Sequence, residues 1–420
     1  MPEPTSSAAS AAALARPALM PLETALATLL ERAVPLPATE DVATFEADGR
    51  VLAQDVVSGL TVPPHDNSAM DGYAVRSADC SAADAVLPVS QRIPAGSVGA
   101  PLAAGSVARI FTGAPVPQGA DAVVMQEDAA ADGPDRVRIG RAPVPGQWIR
   151  RAGEDVARGD VVLSRGLRLD PAALGLAASV GLDRLRVTRR PRVALLSTGD
   201  ELVMPGDVAP EAMKPGTIYN SNRFFMRALL TRLGCTVDDL GLVPDRLDAT
   251  TEALRTAAAS NDLIVTTGGV SVGEEDHIRV AIESLGELSL WSLAIKPGKP
   301  FAYGRIGDAH VTGLPGNPVS SFMTFLLLVR PFVLRLQGVD HVAPPAVPMR
   351  VDADWPRADR RREFLRARRN AAGGLDLFRN QGSGVLTSMV WGDGVIDTPA
   401  GQPFRRGDTV RFIPFDALLA

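Results

Sequence analysis

The stretch Asp262-Leu-Ile-Val-Thr-Thr-Gly-Gly-Val-Ser-Val-Gly-Glu-Glu-Asp276 carries the densest chemistry in the chain. Gly268, Gly269 and Gly273 let the backbone turn sharply beside the Ser271 hydroxyl, so several N–H groups can aim at one point, which suits an anion. Glu274, Glu275 and Asp276 follow, and two uses stay open for them: capping the next helix, or holding a divalent cation against a phosphate. Lys296 and Lys299 flank a Pro-Gly turn, and two ammonium groups held close repel unless an anion lies between them. A solvated surface turn is the plain alternative. In Gly313-Leu-Pro-Gly-Asn-Pro318, Asn317 can be the N-cap and Pro318 the first helical residue, a rigid start that by itself needs no ligand. Nearer the N-terminus, Asp66-Asn-Ser-Ala-Met-Asp-Gly-Tyr73 offers two carboxylates with no apolar period that would bury it. Phe111-Thr-Gly-Ala-Pro-Val-Pro117 offers the Thr112 hydroxyl on a rigid turn, and Arg150-Arg-Ala-Gly-Glu-Asp155 offers cations beside carboxylates, with surface ion pairing as its default use.

These groups need elements to position them. From Pro191 the chain alternates strand and helix. Strands are expected at Val193 to Leu196, Thr236 to Val243 and residues 262–267, and a helix from Ala249 to Ala259. Asn220-Ser-Asn222 opens another helix, with Phe224, Phe225, Ala228 and Leu229 as its apolar face and Gly234 as its stop. Such alternation argues a doubly wound α/β domain over residues 189–336, with ligands at the carboxyl ends of the strands. There the loops 197–201, 266–276, 296–300 and 313–320 should converge on one crevice. Before it, Leu22, Ala25, Leu26, Leu29 and Leu30 trace one face of a helix, and Asp170 can cap another that begins at Pro171. Residues 19–58 and 148–188 can pack as one discontinuous elongated linker domain, with 59–147 as an inserted β-rich module of short strands such as Val107 to Phe111 and Ala122 to Met125. His341 to Pro348 reads as a linker, and 342–420, with strands at Arg362 to Arg368 and Val410 to Phe412, as a small C-terminal β domain.

At 420 residues the chain exceeds one core, and 46% hydrophobic with 22% charged residues is the composition of a globular protein. A net charge of -5 gives no reason to expect nucleic acid or an anionic membrane as partner, although Arg357 to Arg369 is locally basic. Cys80 and Cys235, the only cysteines, exclude a disulfide framework and a cysteine-built zinc site. Residues 1–18 read as a disordered leader without the basic start and apolar core of a signal peptide, and the apolar run Phe322 to Leu328 is too short to cross a bilayer, so a cytoplasmic protein is expected.

Taken in order, these motifs resemble the molybdopterin molybdenumtransferases of bacterial molybdenum cofactor synthesis, relatives of the gephyrin-type E domains, from about residue 20 to the C-terminus. The resemblance implies insertion of molybdate into the dithiolene of adenylylated molybdopterin, with AMP released and Mg²⁺ participating. It implies catalytic roles for Asp71, Thr112, Asp155 and Glu201, and substrate contacts from Arg150, Gly268, Gly269, Ser271, Pro315, Asn317 and Pro318. It further implies a molybdate pocket of Lys296, Lys299, Ser320, Arg366 and Ser383, and Mg²⁺ on Asp245 and Asp276. Ser292 stands where several relatives carry a Lys, one cation fewer for the pterin phosphate. The family architecture implied is a central molybdopterin-binding-like α/β domain with the inserted β-rich module and a small C-terminal β-barrel-like domain. Relatives pair as homodimers with the active site shared between subunits, and other proteins of cofactor synthesis are possible partners. Two other functions remain open: a molybdopterin adenylyltransferase, which would be a compact single domain, and a non-catalytic gephyrin-like scaffold, which would need a peptide groove.

Overall fold

A computed structural model describes residues 19–82, 84–268 and 277–419. They fall into two compact units, one of residues up to 40, 49–51 and 188–420, the other of 41–48 and 52–187.

The second unit holds a six-stranded sheet in the order Ala122–Met125, Gly72–Val75, Val107–Ile110, Ala85–Ile93, Arg136–Ile139, Ala129–Ala131. Its strands alternate between two small cores: Ala74, Ala108 and Val123 pack with Ile93 and Ile110 on one face, and Val75, Val107 and Val124 with Val137 and Ile139 on the other. The flanking segments do pack together, since Ala47, Leu52 and Val56 share a core with Leu163, Leu169, Ala173, Leu185 and Val187. The helix Pro171–Ser179 starts where Asp170 accepts the Ala173 N–H at 2.8 Å.

The first unit contains a doubly wound sheet. Its elements are α1 (Leu22–Glu31), β1 (Arg192–Ser197), α2 (Ser221–Arg232), β2 (Thr236–Leu242), α3 (Leu247–Ser260), β3 (Leu263–Thr267), α4 (His277–Leu285), β4 (Glu287–Ser292), β5 (Ile295–Lys296), β6 (Pro300–Ile306), β7 (Ala309–Leu314), α5 (Pro318–Thr324) and α6 (Arg330–Leu336). The sheet order is β2-β1-β3-β7-β6-β4, parallel from β2 to β7 and antiparallel beyond. Alternate residues address opposite faces, so Val193, Leu195, Leu263 and Val265 meet α2, α5 and α6, while Ala194, Leu196 and Ile264 meet α3 and α4. A second sheet is built from β8 (Val347–Arg350), β9 (Arg362–Arg369), β10 (Leu375–Leu377), β11 (Gly394–Thr398) and β12 (Thr409–Pro414), with α7 (Thr387–Trp391) before β11. Its order is β5-β9-β11-β12-β8, with β10 paired to β9.

Several expectations are corrected. Residues 19–40 do not join the elongated linker segments: α1 buries Leu22, Ala25 and Leu29 in the same core as α5 and α6. Phe224 and Ala228 do not face the core of α2. Phe224 is 55% exposed and Ala228 is exposed; Leu229 is buried as expected, and Met226 and Leu230 are buried with it. Asn317 does sit before α5, yet its side chain makes no capping hydrogen bond. The linker ends early, because β8 starts at Val347. The run Phe322 to Leu328 belongs to a continuous helix, Pro318–Leu336, which among the described residues is long and apolar enough to cross a membrane but has 89% of its apolar window buried in the protein.

A buried pair on β6 and β7 gives stability a pH dependence. The Tyr303 hydroxyl lies 2.8 Å from His310 Nδ1, and burial, followed by the Arg305 charge, draws His310 down to about 4 from its ordinary value of 6.5. The unfolded chain therefore binds that proton more readily, so the imidazole's contribution is complete above about pH 6.5 and lost as pH falls towards 4. Urea unfolding at pH 7 and pH 4.5 should show wild type losing on the order of 3 kcal/mol more than His310→Gln. Equal losses would remove His310 as the cause.

Candidate functional site

Three of the four expected loops do meet at the carboxyl ends of the parallel strands. Ser197 Oγ lies 3.0 Å from Thr267 Oγ1, and the Gly268 N–H donates to the Leu314 carbonyl at 3.1 Å. Gly268 takes φ 89°, and an added Cβ would lie 3.1 Å from the Thr198 carbonyl, which is why glycine stands there. The Pro315 to Asn317 turn is held from the other side, where Asn222 on the first turn of α2 donates Nδ2 to Gly316 O at 2.8 Å. Glu201 is exposed, with its carboxylate over Gly199. Asp245 follows β2, whose neighbour is β1, and its carboxylate has no hydrogen bond or ion pair among the described residues. Gly269, Ser271 and Asp276 lie outside the described residues. Among the described residues no three of His, Cys, Asp and Glu cluster as a metal site.

The fourth loop joins at α5. An added Cβ on Gly298 would lie 3.5 Å from Ser320 O, and the Val319 N–H donates to Ser383 O at 2.9 Å, so the 297–299 turn, Ser320 and Ser383 gather round one helix start. Lys299 is exposed there, its carbonyl accepts the Leu293 N–H at 2.7 Å, and its ammonium makes no hydrogen bond or ion pair with the described residues. The other two cations already have partners. Lys296 Nζ lies 3.1 Å from Glu363 Oε1 and 3.4 Å from Asp359 Oδ2. Arg366 is fully buried, donates to Ser388 Oγ at 3.1 Å and the Phe364 carbonyl at 3.0 Å, and is drawn down to about 10 by burial. Glu363 and Arg366 are three apart on β9 and so address opposite faces of that sheet. Sequence reading missed Glu363 and Asp359. The one available signal was a Glu interleaved with arginines on a strand.

In the second unit three motifs form a separate cluster. The Thr112 N–H and hydroxyl both donate to Asp71 Oδ1 at 2.8 Å, and these bonds, the backbone one first, hold the Asp71 carboxyl below its usual range. Strand Asn67–Ser68 pairs with Ile149–Arg150, and the Val116 N–H donates to Asp66 O, which fixes the three loops to one another. Gly72 lets the backbone pass here, since a Cβ would collide with the Val124 carbonyl. Within 150–155 it is Arg151 that pairs with Asp66, at 2.6 Å, while Arg150 and Asp155 stay exposed. That leaves Arg150 able to meet an anionic ligand.

Comparison with known proteins covers almost the whole chain. Residues 20–181 match the MoeA N-terminal region (domain I and II), 194–335 a probable molybdopterin binding domain, and 348–415 the MoeA C-terminal region (domain IV). The chain is similar to a molybdopterin molybdenumtransferase of Haemophilus influenzae, 38% identical over 96% of this chain and 100% of that protein. It is also similar to molybdopterin molybdenumtransferase 2 of Mycobacterium tuberculosis, 38% identical over 84% and 89% of the two chains. Among solved structures, the molybdopterin biosynthesis moeA protein of Pyrococcus horikoshii superposes with a TM-score of 0.83 at 31% identity, covering 94% of this chain and 100% of that one.

Proposed function

The chain belongs to the molybdopterin molybdenumtransferase family, transferases of molybdenum cofactor biosynthesis, and we propose that it delivers molybdate to the dithiolene of adenylylated molybdopterin with Mg²⁺-dependent release of AMP. The observation that carries this reading is the meeting of the 197–201, 266–268, 296–300 and 313–320 loops at the sheet's carboxyl edge and the start of α5. Backbone N–H groups and glycines there suit a phosphate, and the exposed Lys299 beside Ser320 and Ser383 suits a small oxyanion. Pro315, Asn317 and Pro318 form the wall against the pterin, and Gly268, Gly269 and Ser271 are the proposed phosphate contacts. Lys296, Lys299, Ser320, Arg366 and Ser383 surround molybdate, with Arg366 acting from its buried position by fixing the 381–388 segment.

Asp245 fits Mg²⁺ as far as its donor goes, a carboxylate with no competing partner among the described residues, and Asp276 is the proposed second ligand. Bound there, Mg²⁺ supplies charge neutralisation at the phosphoanhydride. Asp71 orients the water that opens the phosphoanhydride and takes its proton, Thr112 holds that carboxylate by donating to it, Asp155 and Glu201 hold the polar rim, and Arg150 meets the pterin phosphate. The active enzyme is a cytoplasmic homodimer in which each site takes the Asp66–Tyr73 cluster from one subunit and the strand-end crevice from its partner. The match to the N-terminal and C-terminal regions favours this reading over a compact adenylyltransferase.

The test is molybdate dependence. Lys296→Ala removes one charge-assisted bond, about 1.5–3 kcal/mol, so half-saturating molybdate should rise ten- to hundredfold with little change for adenylylated molybdopterin. An unchanged molybdate dependence would take Lys296 out of the pocket.

A further inference from the structure

The cation assigned to molybdate is not a bare one. β5 pairs in parallel with β9, and the register places Lys296 opposite Glu363. Glu363 is 1% exposed, and both of its oxygens are engaged. Oε2 accepts from the Trp355 indole N–H and from the Asp359 N–H, each at 2.9 Å. Oε1 is left for the Lys296 ammonium at 3.1 Å. The carboxylate therefore cannot follow the lysine: two fixed donors pin it, whereas Lys296 sits on a flexible stem whose side chain is 40% exposed. A second carboxylate, Asp359, lies 3.4 Å from the same ammonium and is bonded bidentately by Arg361, which holds it ionised well below the usual carboxylate range. Burying a carboxylate is costly unless its charge is used, and an apolar residue would pack more favourably on the strand face that Glu363 shares with the buried Leu365.

We propose that Glu363 is a positioning residue that sets the oxyanion affinity of the molybdate site, by holding the Lys296 ammonium so that an incoming anion engages it only in competition with a fixed carboxylate. This rests on the reading of Lys296 as a molybdate ligand. An ammonium flanked by two carboxylates has little field to spare for a monoanion. A dianion that also meets Lys299 gains enough from the pair of cations to draw Lys296 across. The device favours doubly charged oxyanions over singly charged ones and keeps molybdate exchangeable.

Glu363→Gln tests it. The amide oxygen can keep the Trp355 and Asp359 bonds, while the amide NH₂ would face the ammonium, donor to donor, and so release Lys296. Titration of molybdate into the full-length dimer without pterin should show binding tightened about tenfold, with nitrate beginning to compete. Unchanged or weaker molybdate binding, with the urea midpoint retained, overturns the proposal. If Glu363→Gln does not fold, Asp359→Asn decides, since removing the second carboxylate should tighten molybdate about threefold and no tightening overturns the proposal equally. Lys296→Ala separates the two claims. If it leaves molybdate binding unchanged, the assignment of Lys296 fails. If it weakens binding while neither carboxylate variant tightens it, only the role of Glu363 fails.

Discussion

Asp71→Asn lowers turnover by about a hundredfold or more and leaves the protein folded. The side chain has one oxygen committed, Oδ1, which takes both Thr112 donors at 2.8 Å. An asparagine oxygen can accept the same two bonds, so the contact between the 66–73 and 111–117 loops survives. What is lost is the negative charge on Oδ2, which has no partner among the described residues and is free to take a proton from, or orient, a water. The loss should fall on kcat, with half-saturating molybdate unchanged, because Asp71 is an anion and is not one of the proposed molybdate ligands. Full activity in steady-state assays would return Asp71 to a purely structural role, that of holding Thr112.

A mixture of two dead enzymes should regain activity. Asp71→Asn disables one half of the proposed shared site and Asp245→Asn the other, so each homodimer alone should run at about a hundredth of wild type or less. Refolding equal amounts together pairs subunits statistically across a two-fold interface, and about half the dimers are mixed. In a mixed dimer one site collects both defects while the other joins two intact halves. Activity should return to about a quarter of wild type, from half the dimers with one good site each. If both halves of a site came from one chain, every site in the mixture would keep a defect and no activity would return. Differently tagged wild-type subunits, co-purified after the same treatment, show that exchange took place.

The sequence makes local facts legible. Apolar residues at strand and helix periods locate β1, β3 and α3, and a cap rule that needs only neighbours in the chain places Asp170 before its helix. Motifs that follow a strand had to fall at its carboxyl end, so the crevice was foreseeable once the sheet was read as parallel. Long-range facts were not legible. The two-residue strand β5 leaves the α/β sheet to extend the C-terminal one, and only that pairing sets Lys296 against Glu363. Two lysines held close call for an anion near them, and for Lys296 the fold supplies it from a strand 67 residues away. Phe224 misled because periodicity reports which residues share a face, and the chain does not say which face the sheet will cover. Arg151 could not be told from Arg150 before the pairing of Arg150 with Asn67 was known.

In the proposed reaction, molybdenum insertion is coupled to loss of AMP. A single-turnover experiment tests it most directly: purified enzyme, adenylylated molybdopterin, molybdate and Mg²⁺, with AMP and dithiolene-bound molybdenum counted in the same quenched samples. One AMP should appear per molybdenum inserted, both together and both lost when Mg²⁺ is chelated. Molybdenum inserted without AMP, or ATP consumed to adenylylate free molybdopterin with no molybdenum bound, would contradict it.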